Sequence, residues 1–350
     1  MPGHDIIVIG TSAGGVEALI TVIRPLPKDL PAAVFAVLHI PAESPSLLAH
    51  ILNHAGSLHT VQAEEGMAIK NGHIYVAQPD HHLILERGTI RVIRGPKENR
   101  HRPAIDPLFR SAALVYGPRV VGVILTGSLD DGTAGLLVVK RRGGVAVVQD
   151  PKEAFYASMP ISALAHVEVD YTLPLSRIGP LLVRLAYQQV VKESATSIFK
   201  DMEIETKLAG MDMNAFNGDQ AGKPSVFSCP ECGGVLWELD DGDLLRFRCR
   251  VGHAFSLETL QAEQSQAVEE ALWSALKTLE ESMSLSQRMA QQAHSKGHEW
   301  LAHRFEEKWQ EAEQHAHQIR NLLLNGDNKV IPPDAQQYSP TNENNNKGGG

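Results

Sequence analysis

Cysteines, aromatic residues and long apolar runs are all scarce in this chain of 350 residues. It has three cysteines, an odd number at close spacing, and its first residues include no basic segment followed by an apolar stretch. A disulfide framework needs paired cysteines and an oxidising compartment, so this pattern instead predicts metal binding in a reducing cytoplasm. No apolar run reaches the roughly 18 residues that a membrane-spanning helix requires, so we expect no membrane insertion.

A broad excess of basic residues is also missing. The net charge is -9, and it is unevenly divided. Residues 1–190 contain 17 Lys and Arg against 16 Asp and Glu, whereas residues 191–350 contain 15 against 25. Because nucleic-acid-binding domains usually carry a clustered basic surface, we expect no nucleic-acid partner. The two parts of the chain are chemically different.

The first part alternates short apolar runs with stretches typical of helices. Residues 5–10, 33–40, 119–126 and 144–148 are predicted strands, and residues 73–94 are predicted to form a strand followed by a hairpin. Strands that are apolar throughout and alternate with helices indicate a parallel sheet covered on both faces. We therefore predict an α/β fold of three layers, with a mostly parallel sheet and an antiparallel hairpin.

A helix predicted over residues 177–210 leaves the α/β domain. The second part of the chain is then predicted to divide into several shorter regions. The predicted regions are an α/β domain at 1–190, a helix and linker at 191–225, a cysteine module at 226–256, a helical extension at 257–325 and a disordered tail at 326–350. The extension is expected to form a helical hairpin that breaks at residues 295–297.

The most informative motif is the glycine-rich turn GTSAGG at residues 10–15. It follows a predicted strand, opens a predicted helix and fits the pattern G-x-S-x-G, in which a serine is held on a sharp turn with its hydroxyl exposed. The helix N-terminus adds N–H donors that favour a developing oxyanion. The alternative is a phosphate-binding turn, although G-x-G-x-x-G would require glycine at Ser12. From this segment alone both interpretations stay open.

A base and a carboxylate follow two other predicted strands. His39 ends the second strand, and Asp130 and Asp131 follow a later one. The carboxyl ends of parallel strands meet at one edge of a sheet, and a serine nucleophile needs both a base and a carboxylate that orients the base. Ser12, His39 and one of the two aspartates therefore predict a catalytic triad. The structural alternatives are a surface histidine and a helix cap.

Five sequence blocks follow one another over about residues 4–190. They are DIIVIGTSAGG at 5–15, FAVLHIP at 35–41, HRPAIDPLFRSAA at 101–113, VGVILTGSLDDGTAG at 121–135 and YASMPISAL at 156–164. Together these blocks resemble the catalytic domain of the chemotaxis protein-glutamate methylesterases. The resemblance implies a serine hydrolase that removes γ-methyl esters from glutamates of chemoreceptor helices, releases methanol and also deamidates receptor glutamines.

The resemblance also implies residue roles. Ser12 matches the family nucleophile, His39 the base and Asp131 the orienting carboxylate, which distinguishes Asp131 from its neighbour. Backbone N–H groups at Ala13 and near Ser128 are the candidates for the oxyanion site. The order of the three catalytic residues along the chain differs from that of the α/β-hydrolases, so that fold is not expected.

Several positions near this predicted centre depart from the family pattern. Threonine is common where this chain has Ala13, and Met-Gly is common where it has Ser128 and Leu129. The alternative functions are therefore a serine hydrolase acting on another ester or amide, and an inactive signalling scaffold. Arg102 is a candidate for binding an acidic substrate group, with a structural ion pair as the alternative.

The expected partners follow from the same resemblance. Methylated chemoreceptor helices are the implied substrate. Family members usually carry a receiver domain before the catalytic domain, whereas the first catalytic strand here begins at Asp5, so we expect no receiver domain within this chain. A receptor methyltransferase or a response regulator acting in trans is the further expected partner.

Three cysteines and a histidine have the spacing of a metal site. Cys229 and Cys232 form one turn, and Cys249 and His253 form a second turn about 16 residues further along. Two such turns fit tetrahedral Zn²⁺ in a zinc ribbon, and four protein ligands predict a structural ion, with no cofactor expected for catalysis. The alternative is three reduced cysteines in a small core.

Overall fold

The computed structural model describes residues 3–190, 222–240 and 244–326. The chain divides into two compact units, Met1–Ala262 and Glu263–Gly350. The predicted linker up to residue 221 and the predicted disordered tail beyond residue 326 lie outside the described residues.

A seven-stranded parallel sheet forms the centre of the first unit. Its strands are β1 (Ile6–Thr11), β2 (Ala33–Leu38), β3 (His59–Gln62), β4 (His73–Val76), β7 (Val120–Ile124), β8 (Val145–Gln149) and β9 (Tyr171–Leu173), in the order β3-β4-β2-β1-β7-β8-β9. Every residue of β1, β2 and β7 is buried, because helices cover both faces and leave no polar face on these strands. The helices packed on both faces therefore hold the ends of the central strands in place.

Six helices form the two outer layers. They are α1 (Gly15–Ile23), α2 (Leu48–Ala55), α3 (Ile105–Tyr116), α4 (Thr133–Arg141), α5 (Ser158–His166) and α6 (Leu175–Tyr187). One apolar core contains side chains of α1, α2 and α6, and the other contains side chains of α3, α4 and α5. The predicted three-layer α/β fold is confirmed.

The predicted antiparallel hairpin is β5 (His82–Leu85) paired with β6 (Ile90–Ile93). The hairpin lies within the predicted residues 73–94, and its turn includes Gly88 at a φ of 79°. The apolar pattern of the sequence does not predict strands β3 and β9 or helix α5, because β3 and β9 are short edge strands with mixed burial and α5 has weak amphipathic patterning.

The predicted helix over residues 177–210 is wrong in its bounds. Helix α6 begins at Leu175 and ends at Tyr187. The chain then turns extended at Gln188, and Gln189 forms an antiparallel bridge with Gly3 at the other end of the domain. This pairing ends the helix before residue 190, and the residues from 191 lie outside the described part of the chain.

The cysteine module is a second sheet within the same compact unit. Its strands are β10 (Lys223–Ser228), β11 (Val235–Asp240), β12 (Leu245–Cys249) and β13 (Ala254–Ser256), all antiparallel. Strand β10 begins three residues before the predicted start of the module. The small apolar core of the module contains Leu236, Phe247, Phe255 and two of the cysteines.

Two long helices follow, α7 (Leu257–Ser295) and α8 (Glu299–Gly326). Within the second unit they form the predicted helical hairpin. Gly297, at a φ of 74°, makes the turn, and the Arg320 guanidinium lies 2.6 Å from the Glu280 carboxylate across the two helices. Five alanine side chains of the two helices are buried: Ala290, Ala293, Ala302, Ala312 and Ala316. None of the described helices combines the length and apolar character needed to cross a membrane.

Candidate active site and metal centre

The predicted catalytic residues follow the carboxyl ends of three adjacent strands, β2, β1 and β7. Ser12 follows β1, and its N–H donates to Thr126 O just after β7 at 3.0 Å. His39 follows β2, and its N–H donates to Thr11 O at 3.2 Å. The backbone hydrogen bonds of the sheet therefore continue past the ends of β1 and β2. They hold the Ser12 turn between the loops that follow β2 and β7.

The turn that carries Ser12 is tight because glycines line it. Gly14 has a φ of 74°, which favours glycine, and Gly15 N–H closes the turn onto Ser12 O at 2.9 Å. On the facing loop, a Cβ at Gly127 would lie 2.0 Å from Met159 Sδ and 2.8 Å from Ser12 Cβ. Only glycine permits the β7 loop to approach Ser12 this closely.

Thr126 is a site residue that the sequence analysis missed. Its hydroxyl accepts a hydrogen bond from Tyr156 N–H at 2.8 Å and lies 3.0 Å from Ala13 O. Its own N–H donates to the Gln149 amide oxygen at 2.8 Å. Thr126 thereby links the Ser12 turn to the loops after β7 and β8. A threonine after an apolar strand carries no distinct sequence signal for this role.

His39 and Asp131 form a buried pair. His39 Nε2 lies 2.8 Å from Asp131 Oδ2, and the two side chains are 4% and 2% exposed. Burial alone would raise the pKa of Asp131, but the hydrogen bond and charge of His39, with further donors, hold it below its usual range. An ionised carboxylate only accepts hydrogen bonds, so neutral His39 carries its proton on Nε2 and presents Nδ1 as the basic nitrogen.

Three backbone N–H groups and an amide hold the Asp131 carboxylate. The N–H groups of Ile105 and Gly132 donate to it at 2.7 and 3.0 Å, and the Asp106 N–H is 3.4 Å away. Asn99 Nδ2 donates at 2.9 Å. Two of these donors belong to the first turn of α3, where the positive end of the helix dipole favours an anion.

Asp130, the alternative carboxylate, has a different set of partners. It accepts hydrogen bonds from the Ser256 and Thr259 hydroxyls and has no contact with His39 among the described residues. Burial raises the pKa of Asp130 to about 6, although the Ser256 hydroxyl opposes the shift. The structure therefore places Asp131, and not Asp130, against the histidine.

A second histidine covers the first, and the sequence analysis missed it as well. The rings of His39 and His101 stack with centroids 3.6 Å apart and planes 12° apart. Burial, and then the neighbouring His39, lower the pKa of His101 to about 3. His101 is therefore neutral across the physiological range and adds no charge to the ring it covers.

The three remaining predicted site residues lie in different surroundings. Ala13 is in the Ser12 turn, and Ser128 is exposed on the loop after β7, next to Leu129, which has a φ of 60°. The Arg102 guanidinium forms an ion pair with Asp80 at 2.5 to 2.8 Å and donates to a backbone carbonyl at 2.7 Å. These partners favour the structural alternative for Arg102 over substrate binding.

The four predicted metal ligands form one cluster. His253 Nδ1 lies 3.7 Å from Cys229 Sγ and 3.6 Å from Cys249 Sγ, and Cys232 Sγ lies 3.7 Å from Cys249 Sγ. All four ligand atoms are within 4.8 Å of one another. A tetrahedral metal with metal–sulfur bonds of about 2.3 Å places its ligands roughly 3.8 Å apart. The cluster could therefore hold a metal ion.

A parallel α/β sheet with a serine turn and a buried His–Asp pair at its strand ends is the arrangement expected of a serine hydrolase. The profile of the CheB methylesterase family matches residues 7–182. The chain belongs to this family, which confirms the resemblance and the enzyme class expected from the sequence.

Several proteins are similar over this same region. A Leptospira interrogans protein is 43% identical over 183 residues, which are 52% of this chain and 95% of that one. A protein-glutamate methylesterase/protein-glutamine glutaminase of Xanthomonas campestris is 39% identical, covering 52% of each chain. One of Pyrococcus abyssi is 35% identical over 53% of this chain and 51% of its own length. This chain thus spans about half the length of the last two relatives.

A solved structure is also similar. The crystal structure of the Thermotoga maritima CheB methylesterase catalytic domain is 35% identical, with a TM-score of 0.49, and the match covers 52% of this chain and 98% of that chain.

Proposed function

We propose that this protein is a protein-glutamate methylesterase that acts on methylated chemoreceptor helices in a chemosensory system. The observation that carries the proposal is the buried His39–Asp131 pair at 2.8 Å, beside the Ser12 turn at the end of a parallel sheet. Family membership and the names of the relatives support the same reaction.

The proposed reaction begins at Ser12. Its oxygen attacks the ester carbonyl carbon while its proton passes to His39 Nδ1, an atom that is buried and has no hydrogen-bond partner among the described residues. Asp131 stabilises the imidazolium that results. Backbone N–H groups at Ala13 and near Ser128 receive the negative charge on the carbonyl oxygen.

Collapse of this intermediate breaks the ester C–O bond, and methanol leaves with the proton from His39. Water then attacks the acyl-enzyme with His39 again as base, which releases the glutamate carboxylate and regenerates Ser12. With a glutamine side chain as substrate, the same steps release ammonia. This accounts for the second activity in the names of the relatives.

Exposed aromatic side chains beside the Ser12 turn support a protein substrate. Phe155 is 79% exposed and Tyr156 is 44% exposed, and their rings lie 5.1 Å apart. Phe155 packs against the turn, because a Cβ at Gly14 would lie 3.1 Å from Phe155 Cβ. An apolar surface at the mouth of a site suits the apolar face of a receptor helix.

The metal centre is proposed to hold one structural Zn²⁺. The Cys3His donor set and the spacing of its four atoms suit tetrahedral zinc. When bound, zinc would cross-link the two turns of a module whose own apolar core is small. Four protein ligands fill its coordination shell and leave no position for a substrate. Metal analysis of the purified protein is expected to find one zinc per chain.

Release of methanol from a methylated receptor fragment tests the function. The wild-type protein and Ser57→Ala, which alters an exposed serine, are expected to release methanol at equal rates, and Ser12→Ala is expected to release none above background. Hydrolysis of small esters without any release from the receptor would indicate another serine hydrolase. No hydrolysis of either substrate by the wild-type protein would indicate a scaffold.

A further inference from the structure

The metal-binding module packs against the segment that leads into α3. Asn99 N–H donates to Ala254 O at 2.8 Å, and Ala254 N–H donates to Lys97 O at 3.3 Å. Glu98 forms a parallel bridge with Ala254. Strand β13 therefore extends main-chain pairing from the module into the α/β domain, within one compact unit.

A buried ionic cluster crosses the same contact. Both oxygens of Glu98 lie 2.8 Å from an Arg110 nitrogen of α3, and one of them lies 3.1 Å from an Arg248 nitrogen of β12. All three side chains are at most 2% exposed. Charges buried this deeply require partners. Arg248 of the module therefore helps to compensate the buried Glu98 carboxylate beside α3.

Asn99 connects this contact to the catalytic carboxylate. Its amide nitrogen donates to Asp131 Oδ1 at 2.9 Å and to Asp106 Oδ2 at 3.0 Å. Its amide oxygen accepts the Ser256 N–H at 3.0 Å. The orientation of the amide is thus set by the last residue of β13, and that orientation decides which atom faces Asp131.

The neighbouring aspartate is fixed by the first turn of α7. Asp130 Oδ1 accepts the Ser256 hydroxyl at 2.7 Å and the Thr259 hydroxyl at 3.0 Å. The Ser256 hydroxyl in turn accepts the Thr259 N–H at 3.0 Å, which caps the helix. Asp130 therefore anchors the loop that carries Asp131 to the start of this helix.

We infer that the metal-binding module and the first turn of α7 position the catalytic carboxylate. Asn99, Ser256 and Thr259 act as positioning residues, because they reach Asp131 directly or through Asp130 and contact no reacting atom. The inference rests on the proposed triad. It gives the module a role in the geometry of the catalytic residues. A metal held by the module's four ligands would then stabilise the positions of His39 and Asp131 without contacting them.

Two substitutions test the contact from opposite sides. Asn99→Ala removes a donor to Asp131 and is expected to lower kcat about 100-fold with little change in KM, because misplacing a catalytic group costs about that much. Thr259→Val removes a donor to Asp130 and is expected to lower kcat about 10-fold, with Thr259→Ser restoring it. Thr278→Val makes the same change on an exposed part of α7 and should leave kcat unchanged.

A spectroscopic readout separates positioning from general damage. The Nε2 proton of His39, shared with Asp131, is expected to give a downfield proton resonance that shifts in Asn99→Ala and Thr259→Val but not in Thr278→Val. Wild-type kcat in both site variants would overturn the inference. So would a fall in kcat that accompanies a lower melting temperature while the His39 resonance is unmoved.

Removal of the metal tests the inference without mutation or substrate. After chelation, hydrogen exchange is expected to quicken at residues 97–106 and 130–132, with β1 and β2 unchanged. Faster exchange confined to residues 222–256 would contradict it. Because exchange and the resonance need no receptor, they still decide the inference if the wild-type protein releases no methanol and the proposed function fails.

Discussion

The Ser12 turn and the Asp131 loop lie at the same edge of the sheet but are held by different means. The turn is fixed by backbone hydrogen bonds between adjacent strands and by close packing at Gly127. The loop depends on the first turn of α3, on Asn99 and on residues of the module more than 120 positions further along the chain. The position of Ser12 therefore depends on the sheet, whereas the position of Asp131 also depends on the module.

Adjacent carboxylates show the consequence of this difference. Asp131 is fully surrounded by donors and a histidine, which outweigh burial and lower its pKa. Asp130, one residue away, accepts hydrogen bonds from the Ser256 and Thr259 hydroxyls, but burial outweighs them and raises its pKa to about 6. Donor number, and not burial alone, decides which of the two carboxyl groups has the lower pKa.

The largest effect is expected from Asp131→Asn. An amide at this position presents the wrong group to His39, favours the wrong tautomer and cannot stabilise the imidazolium, so kcat should fall about 10³- to 10⁴-fold. Steady-state methanol release measures the change. Asp29→Asn, which alters an exposed carboxylate, serves as the control. Less than a tenfold loss would argue that Asp131 is not the orienting carboxylate.

A large loss of stability is expected from Arg248→Met. The substitution removes one cation from the buried Glu98 cluster, and breaking such a cluster costs about 3 to 5 kcal/mol of unfolding free energy. Urea denaturation followed by circular dichroism measures it. Arg250→Met, two residues away and exposed, should change the free energy by less than about 0.5 kcal/mol. Equal curves for both variants would show that the contact contributes nothing.

Asp130 predicts a pH dependence of stability. Its pKa is raised in the folded protein, so the stability it contributes is fully present below about pH 4 and is lost as pH rises through about 6. Asp130→Asn lacks this titration. Relative to the wild-type protein, it should gain up to about 3 kcal/mol of unfolding free energy between about pH 4 and pH 7. A difference that is constant with pH would show that Asp130 is already ionised at pH 4.

The smallest effect is expected at Leu129, whose φ of 60° is unfavourable for a residue with a Cβ. Leu129→Gly should be more stable than Leu129→Ala by about 1 kcal/mol, because both remove the side chain and only glycine relieves the backbone. Thermal unfolding of the two variants gives the comparison. The reverse order would mean that the loop relaxes when the leucine is removed.

Sequence patterns predicted the parts of the molecule that depend on local chemistry. Apolar runs predicted β1, β2, β7 and β8, the glycine-rich motif predicted the tight turn at Ser12, and cysteine spacing predicted the cluster of three cysteines and His253. The fully apolar strands and the tight turn each follow from residues within about ten positions of one another.

The missed features depend on contacts that sequence spacing does not record. Thr126 and His101 contact residues that are distant in the sequence, and Asn99 accepts a hydrogen bond from Ser256, 157 residues away. The choice between Asp130 and Asp131 likewise needed either the family resemblance or the three-dimensional position of His39. Such long-range polar contacts leave no periodic or compositional signal in a single sequence.

Covalent labelling of the nucleophile tests the central claim most directly. A fluorophosphonate, which mimics the ester and bonds to an activated serine oxygen, should add one group per chain, and peptide mapping by mass spectrometry should locate it at Ser12. Labelling should be lost in His39→Gln and slowed after removal of the metal. A wild-type protein that releases methanol while its label lies on another residue, or that labels equally well without His39, would contradict the account.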